Sequence, residues 1–292
     1  MIEHIVLSGG GPNGLVQMGV IVELMRSGKM DPCGIKSVYG TSIGSFIGII
    51  LALGIPLEEY CEYIVERPWN KWVDIHYADA NTLRGFIPCE TLKDLVRPML
   101  KAHGFHENIT LKEAYDLTNI DVHMFTVELD TFTLVDLNHA TFPHLSMMQA
   151  ACMSSALFPV FSPMVFEGKS YIDGGARNNF PLDMLLATKV DPDTVLGLNL
   201  VGDGSTGKYS SQMTGVETMM YILFKTAYEM GCIEKTHKLG QTCTYYLGIT
   251  NRSVIASTDL WGSSLGDTGY RRQLLNDGLQ LGKEFIGEKW PV

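Results

Sequence analysis

The chain has 292 residues, 46% apolar and 18% charged, a globular composition long enough to bury a sizeable core as one large α/β domain or two smaller ones. A net charge of −10 argues against nucleic acid and against simple electrostatic attachment to anionic membranes; it leaves open lipid substrates met through apolar surface. No apolar run reaches the roughly 18 residues of a membrane span, and scattered cysteines without C-x-x-C suit free thiols in a reducing compartment better than a disulfide framework or zinc.

Ile2 to Ser8 reads as a β-strand; it has no basic n-region, which argues against a signal peptide. Gly9-Gly10-Gly11-Pro12-Asn13-Gly14 follows directly, and Leu15 to Arg26 looks helical, stopped by Ser27-Gly28. Gly9, Gly11 and Gly14 satisfy G-x-G-x-x-G, the dinucleotide fingerprint. That reading wants an acidic residue at the end of a second strand, where this chain has a serine turn instead. A side-chain-free turn at a helix N-terminus also suits any developing anion, including the oxygen of a tetrahedral intermediate.

The second strand, Ile35 to Tyr39, runs into Gly40-Thr41-Ser42-Ile43-Gly44, and Ser45 to Gly54 reads as a buried helix. G-x-S-x-G on a strand-to-helix turn is a nucleophile elbow: Gly40 and Gly44 permit close approach, and Ser42 is presented at the positive end of the helix. The alternative is an ordinary strand–helix connection.

Residues 56–118 read as a helical, more polar, cap-like block with one helix at Leu57 to Val65 and another at Cys89 to Leu100. Thr110 and Glu113 form a capping box, starting a helix at Leu111 to Asp116. Trp69, Trp72 and Tyr77 are expected as packing anchors. Strands are expected at Val122 to Leu129 and Thr131 to Leu137, a buried helix at Leu145 to Ser154, and a hairpin-like pair at Val165 to Ile172. The pair delivers Asp173-Gly174-Gly175, after which Leu182 to Ala187 reads as helix and Val195 to Val201 as strand. Beyond lie a polar loop at Asp203 to Gly207, a Met- and aromatic-rich helix at Val216 to Met230, a strand at Thr242 to Ile249 and a closing helix at Leu274 to Ile286. Within the second of these, Met219 to Phe224 reads as core, with a lid or membrane-contact surface as the alternative. Alternating strands and helices with glycine turns at the strand ends argue for a mostly parallel sheet with helices on both faces, and the absence of linkers argues for a single domain over 1–292.

The ordered set of a glycine-rich turn (Gly9 to Gly14), G-x-S-x-G (Gly40 to Gly44), Ser-Ser-Ala-x-x-Pro (Ser154 to Pro159) and Asp-Gly-Gly with downstream Asn and Pro (Asp173 to Pro181) resembles the patatin-like phospholipase family. The likeness covers residues 2–187; 188–292 match loosely. It implies a three-layer α/β/α fold hydrolysing acyl esters of lipids, phospholipids among them, by a Ser–Asp dyad without histidine. By that resemblance Ser42 is the nucleophile, Asp173 its base, and the N–H groups of Gly9, Gly10 and Gly11 supply the oxyanion hole. Gly174 and Gly175 keep side chains off the serine. No metal or cofactor is implied, and the expected setting is cytoplasmic or membrane-peripheral, with transient contact with a membrane surface among the expected partners. The family usually carries Lys or Arg where this chain has Asn13, which removes a positive charge near the site.

The nearest rival is an α/β-hydrolase-type esterase with order Ser…Asp…His, for which His237 is the one histidine after Asp173. A second is a catalytically weak lipid-binding protein.

Overall fold

The computed structural model describes residues 1–71, 85, 87–202, 211, 213–215, 218–219, 221–222, 238–251 and 258–291. The expected polar loop Asp203 to Gly207, most of the expected helix Val216 to Met230, half of Met219 to Phe224, and Trp72, Tyr77 and His237 lie outside them.

Among the described residues, eight strands form one sheet: β1 (His4–Leu7), β2 (Ser37–Thr41), β3 (Asp121–Glu128), β4 (Thr133–Leu137), β5 (Met164–Phe166), β6 (Lys169–Asp173), β7 (Val195–Gly202) and β8 (Tyr245–Asn251). Their order is β5-β6-β3-β2-β1-β7-β8, with β4 also paired to β3. β3, β2, β1, β7 and β8 run parallel to one another, and the antiparallel pairs gather around β3 and β6. The helices are α1 (Gly14–Arg26), α2 (Ile43–Ala52), α3 (Leu57–Glu66), α4 (Arg97–Ala102), α5 (Leu111–Thr118), α6 (Met147–Ser154), α7 (Leu182–Leu186), α8 (Thr258–Gly266) and α9 (Thr268–Lys289).

Successive strand residues face opposite sides, so the central strands bury both faces and read as apolar runs. Ile5, Leu7, Val38, Met124, Leu196 and Leu198 join a large core with the apolar faces of α1, α2, α3, α6 and α9. Val6, Tyr39, Phe125 and Val195 point the other way, to a smaller core closed by Phe180, Leu182 and Leu185. The expected mostly parallel sheet with helices on both faces is the observed arrangement.

The segment Cys89 to Leu100, expected as one helix, is a 3-10 helix at Cys89–Leu95 followed by α4. Pro98 has no N–H to continue a helix, and it sits instead in the first turn of a new one, where none is needed. The Asp94 carbonyl accepts the Tyr63 hydroxyl at 2.5 Å. The capping box of Thr110 and Glu113 is present, and Trp69 is buried with its indole N–H on the Ile64 carbonyl at 2.8 Å. The closing helix begins six residues before the expected Leu274, because the Asp267 carboxylate caps the Gly269 and Tyr270 N–H groups. α9 crosses α1 closely: a Cβ at Gly278 would lie 2.3 Å from the Val16 carbonyl. Among the described residues, no helix is long and apolar enough to cross a membrane.

Candidate active site

Strand register brings the site together. β1 and β2 are level at Leu7 and Gly40, so the glycine turn after β1 and the serine turn after β2 leave the same edge of the sheet. β2 pairs with β3 up to Thr41 opposite Phe125, then turns away at Ser42. β4 occupies the other edge of β3, so β6 takes the edge that β2 vacates, with Asp173 opposite Thr126, the next residue along β3. The ends of β2 and β6 therefore meet, and with them Ser42 and Asp173.

Ser42 sits at φ 55°, ψ −123°, a left-handed conformation rare for a residue with a side chain. Such a residue costs on the order of 1–3 kcal/mol and persists only where its surroundings over-determine it. Ser154, at the end of α6, supplies much of that determination. Its buried hydroxyl accepts the Ser42 N–H at 2.9 Å and donates to the Phe125 carbonyl at 2.6 Å. The Ser45 hydroxyl lies 2.9 Å from it and 3.1 Å from the Gly40 carbonyl. A hydroxyl has one hydrogen and two lone pairs, so Ser154 is fully used: it donates to Phe125 and accepts from Ser42 and Ser45. Gly44 lets α2 start directly on β1, since a Cβ there would lie 2.6 Å from the Leu7 carbonyl. Gly40 is as confined, its Cβ position 2.5 Å from the backbone of Gly44.

Asp173 is buried, and its Oδ1 accepts the Gly175 N–H at 2.7 Å. Burial pushes its carboxyl up from the usual carboxylate range to about 6; the Gly175 N–H and the Ser42 hydroxyl, which favour the anion, offset only part of that. Gly174 packs its backbone on β3, where a Cβ would fall 2.1 Å from the Phe125 carbonyl. The Asp173 N–H is fixed to the Ala156 carbonyl at 3.1 Å, which joins the Ser-Ser-Ala segment to the end of β6.

The glycine turn lies beside the serine: a Cβ at Gly9 would be 3.0 Å from the Ser42 Cβ. The Gly9 N–H, expected among the oxyanion donors, is given to the Asn179 carbonyl at 3.0 Å, and the Asn179 side-chain N–H reaches back to the Gly9 carbonyl at 3.2 Å. Asn179 thus clamps the glycine turn to the Asp173 loop. Among the described residues, the N–H groups of Gly10 and Gly11 have no protein partner. Asn13 is buried, with no bond to either polar atom of its side chain. Sequence reasoning missed Ser154 as a brace and Asn179 as a clamp. The signal for the first was a serine run closing an otherwise apolar helix.

Several histidines are engaged away from this edge. His4 bonds Ser37 at 2.8 Å, and His123 lies between Asp121 and Asp136 at 3.2 and 2.8 Å. Among the described residues no histidine bonds Asp173, and no group of His, Cys, Asp and Glu is arranged to hold a metal ion.

The model of the family described as Patatin-like phospholipase matches residues 5–186. The chain is 26% identical over 192 residues to a protein named probable lipid hydrolase 463L of Invertebrate iridescent virus 6, covering 63% of each. It is 24% identical over 219 residues to a lysophospholipase NTE1 of Meyerozyma guilliermondii, covering 72% of this chain and 14% of that protein. It therefore spans somewhat under two thirds of the viral relative and a small part of the fungal one. Among solved structures, VipD from Legionella pneumophila shares the fold with TM-score 0.56 at 14% identity, covering 99% of this chain and 67% of that one.

Proposed function

The chain belongs to the patatin-like phospholipase family, and from that premise we propose that it is a lipid acyl hydrolase in which Ser42 is the nucleophile and Asp173 the sole general base. A serine hydroxyl is a poor nucleophile until a neighbouring base takes its proton. A carboxyl raised to about 6 is roughly a hundredfold more basic than an ordinary one near 4, while still ionised at neutral pH. The observation that carries the reading is the meeting of a strained Ser42, at the end of β2, with a buried Asp173, at the end of β6, whose Oδ1 is held by the Gly175 N–H.

In this mechanism Asp173 takes the Ser42 proton as Oγ bonds to the ester carbonyl carbon. The carbonyl oxygen becomes an anion, received by the Gly10 and Gly11 N–H groups, each such donor being worth about 3 kcal/mol. Collapse breaks the ester bond, Asp173 returns its proton to the departing alcohol, and the acyl group stays on Ser42. A water then gives its proton to Asp173 and attacks the acyl carbon, releasing the fatty acid and restoring the serine. The family description favours phospholipids, and the name of the fungal relative lysophospholipids, as the substrate class.

The test is fatty-acid release from phospholipid, lysophospholipid and a short activated ester by wild type, Ser42→Ala and His237→Ala. We expect Ser42→Ala to lose at least about a thousandfold and His237→Ala to stay near wild type. Equal losses would establish a triad instead. The lipid-binding reading is favoured by one observation, the neutral and unpaired Asn13; it would be supported by absence of serine-dependent turnover on every ester.

A further inference from the structure

Four of the eight large apolar side chains exposed among the described residues lie beside the catalytic edge. Val165 is 61% exposed, Phe132 47%, Phe158 41% and Leu129 36%. Each is tied to the strand or loop that carries Asp173. The Leu129 N–H bonds the Ser170 carbonyl at 2.9 Å, and Val165 is paired across the hairpin with the same Ser170. Phe158 lies two residues beyond Ala156, whose carbonyl holds the Asp173 N–H, and Arg177 donates to the Phe132 carbonyl at 2.9 Å. Among them opens an apolar recess of about 310 Å³, lined by Leu129, Phe158, Pro163, Ser170 and Ile172.

Phe132 gives an independent observation. Its φ is 51°, a conformation that favours Gly or Asn and disfavours a bulky aromatic residue. A turn adopting this backbone would be more stable with Asn, yet it holds an exposed phenylalanine. Folding therefore does not explain the side chain, whereas contact with an apolar surface outside the protein does.

We propose that the rim formed by Leu129, Phe132, Phe158, Pro163, Val165 and Ile172 seats the catalytic edge on the surface of a zwitterionic lipid aggregate. The inference rests on the acyl-hydrolase reading for its purpose but not for its measurement. Charge selects the kind of surface. Lys169 is neutralised by Glu128 at 2.9 Å, Glu167 tips the adjoining turn, and the chain carries a net charge of −10. Among the described residues of these turns and strands the cations Lys169 and Arg177 are outnumbered by Glu128, Asp130 and Glu167, so apolar burial, and not attraction to anionic headgroups, drives the contact.

The test is co-flotation of the full chain, as Ser42→Ala, with phosphatidylcholine vesicles, with and without added phosphatidylserine. The same protein carrying Phe132→Asn and Val165→Thr is compared. We expect the unsubstituted rim to float with phosphatidylcholine vesicles, with no gain from phosphatidylserine, and the double variant to partition about tenfold more weakly. The double variant on a wild-type Ser42 should hydrolyse a short soluble ester within about twofold of wild type and melt no lower, since Asn suits the backbone at residue 132. Equal flotation of the two proteins, no flotation of either, or binding that appears only with phosphatidylserine would overturn the proposal. So would a concentration-dependent dimer, seen by light scattering, that the double variant dissociates, because the rim would then face a second copy of the chain. Loss of soluble-ester turnover in wild type would count against the chemistry alone and leave the flotation result standing.

Discussion

Replacing Asp173 with Asn should make the protein more stable as it becomes inactive, and the size of the gain should depend on pH. The folded-state carboxyl is raised to about 6, from 3.8 in an unperturbed group. Between those values the folded state holds a proton that the unfolded state has lost, so the stability of the wild type falls as pH rises. A rise of that size corresponds to roughly 3 kcal/mol, fully expressed above about pH 7 and absent below about pH 3, where both states are protonated. Asparagine carries no charge to desolvate, and its side-chain oxygen can still accept the Gly175 N–H. Urea denaturation of wild type and Asp173→Asn from pH 4 to 8 reads the difference directly. A variant that gains no stability with rising pH, or that loses it, would refute the burial argument and with it the account of why this carboxylate is basic enough to act alone.

Two further outcomes follow from the elbow. Ser154→Ala strands the buried Ser42 N–H and Phe125 carbonyl, for a loss of about 2–4 kcal/mol in chemical denaturation; the folded fraction should show kcat down about 10- to 100-fold with KM little changed. Unaltered kcat in the folded protein would make Ser154 a brace of the fold only. Gly174→Ala drives a Cβ into the Phe125 carbonyl and displaces Asp173, so it should destabilise by about 3 kcal/mol or more and lower kcat on a short ester about a hundredfold.

The elbow was legible because its glycines obey spacing alone: Gly40 and Gly44 flank a serine between a strand and an apolar helix, and the structure shows backbone at both Cβ positions. The parallel sheet was legible from strands that read apolar on both faces. Partnership between Ser42 and Asp173 was not, because 130 positions of chain separate them and only the handover of one edge of β3 from β2 to β6 brings them together. The resemblance supplied that pairing; local pattern did not. Ser154 and Asn179 were missed for the same reason, their partners lying on other strands and loops. Gly9 looked equivalent to its neighbours until Asn179 took its N–H. The start of α9 was hidden because Thr268 to Gln273 is polar and carries no apolar stripe. It shows itself only through the Asp267 cap.

The central claim, a serine activated by one carboxylate, is tested most directly by the rate at which a fluorophosphonate labels the protein across pH, read by intact mass and peptide mapping. The account predicts a single adduct on Ser42 whose rate rises through about pH 6 to a plateau, absent in Ser42→Ala and lost in Asp173→Asn. Labelling that is unchanged in Asp173→Asn, or that requires His237, would contradict it.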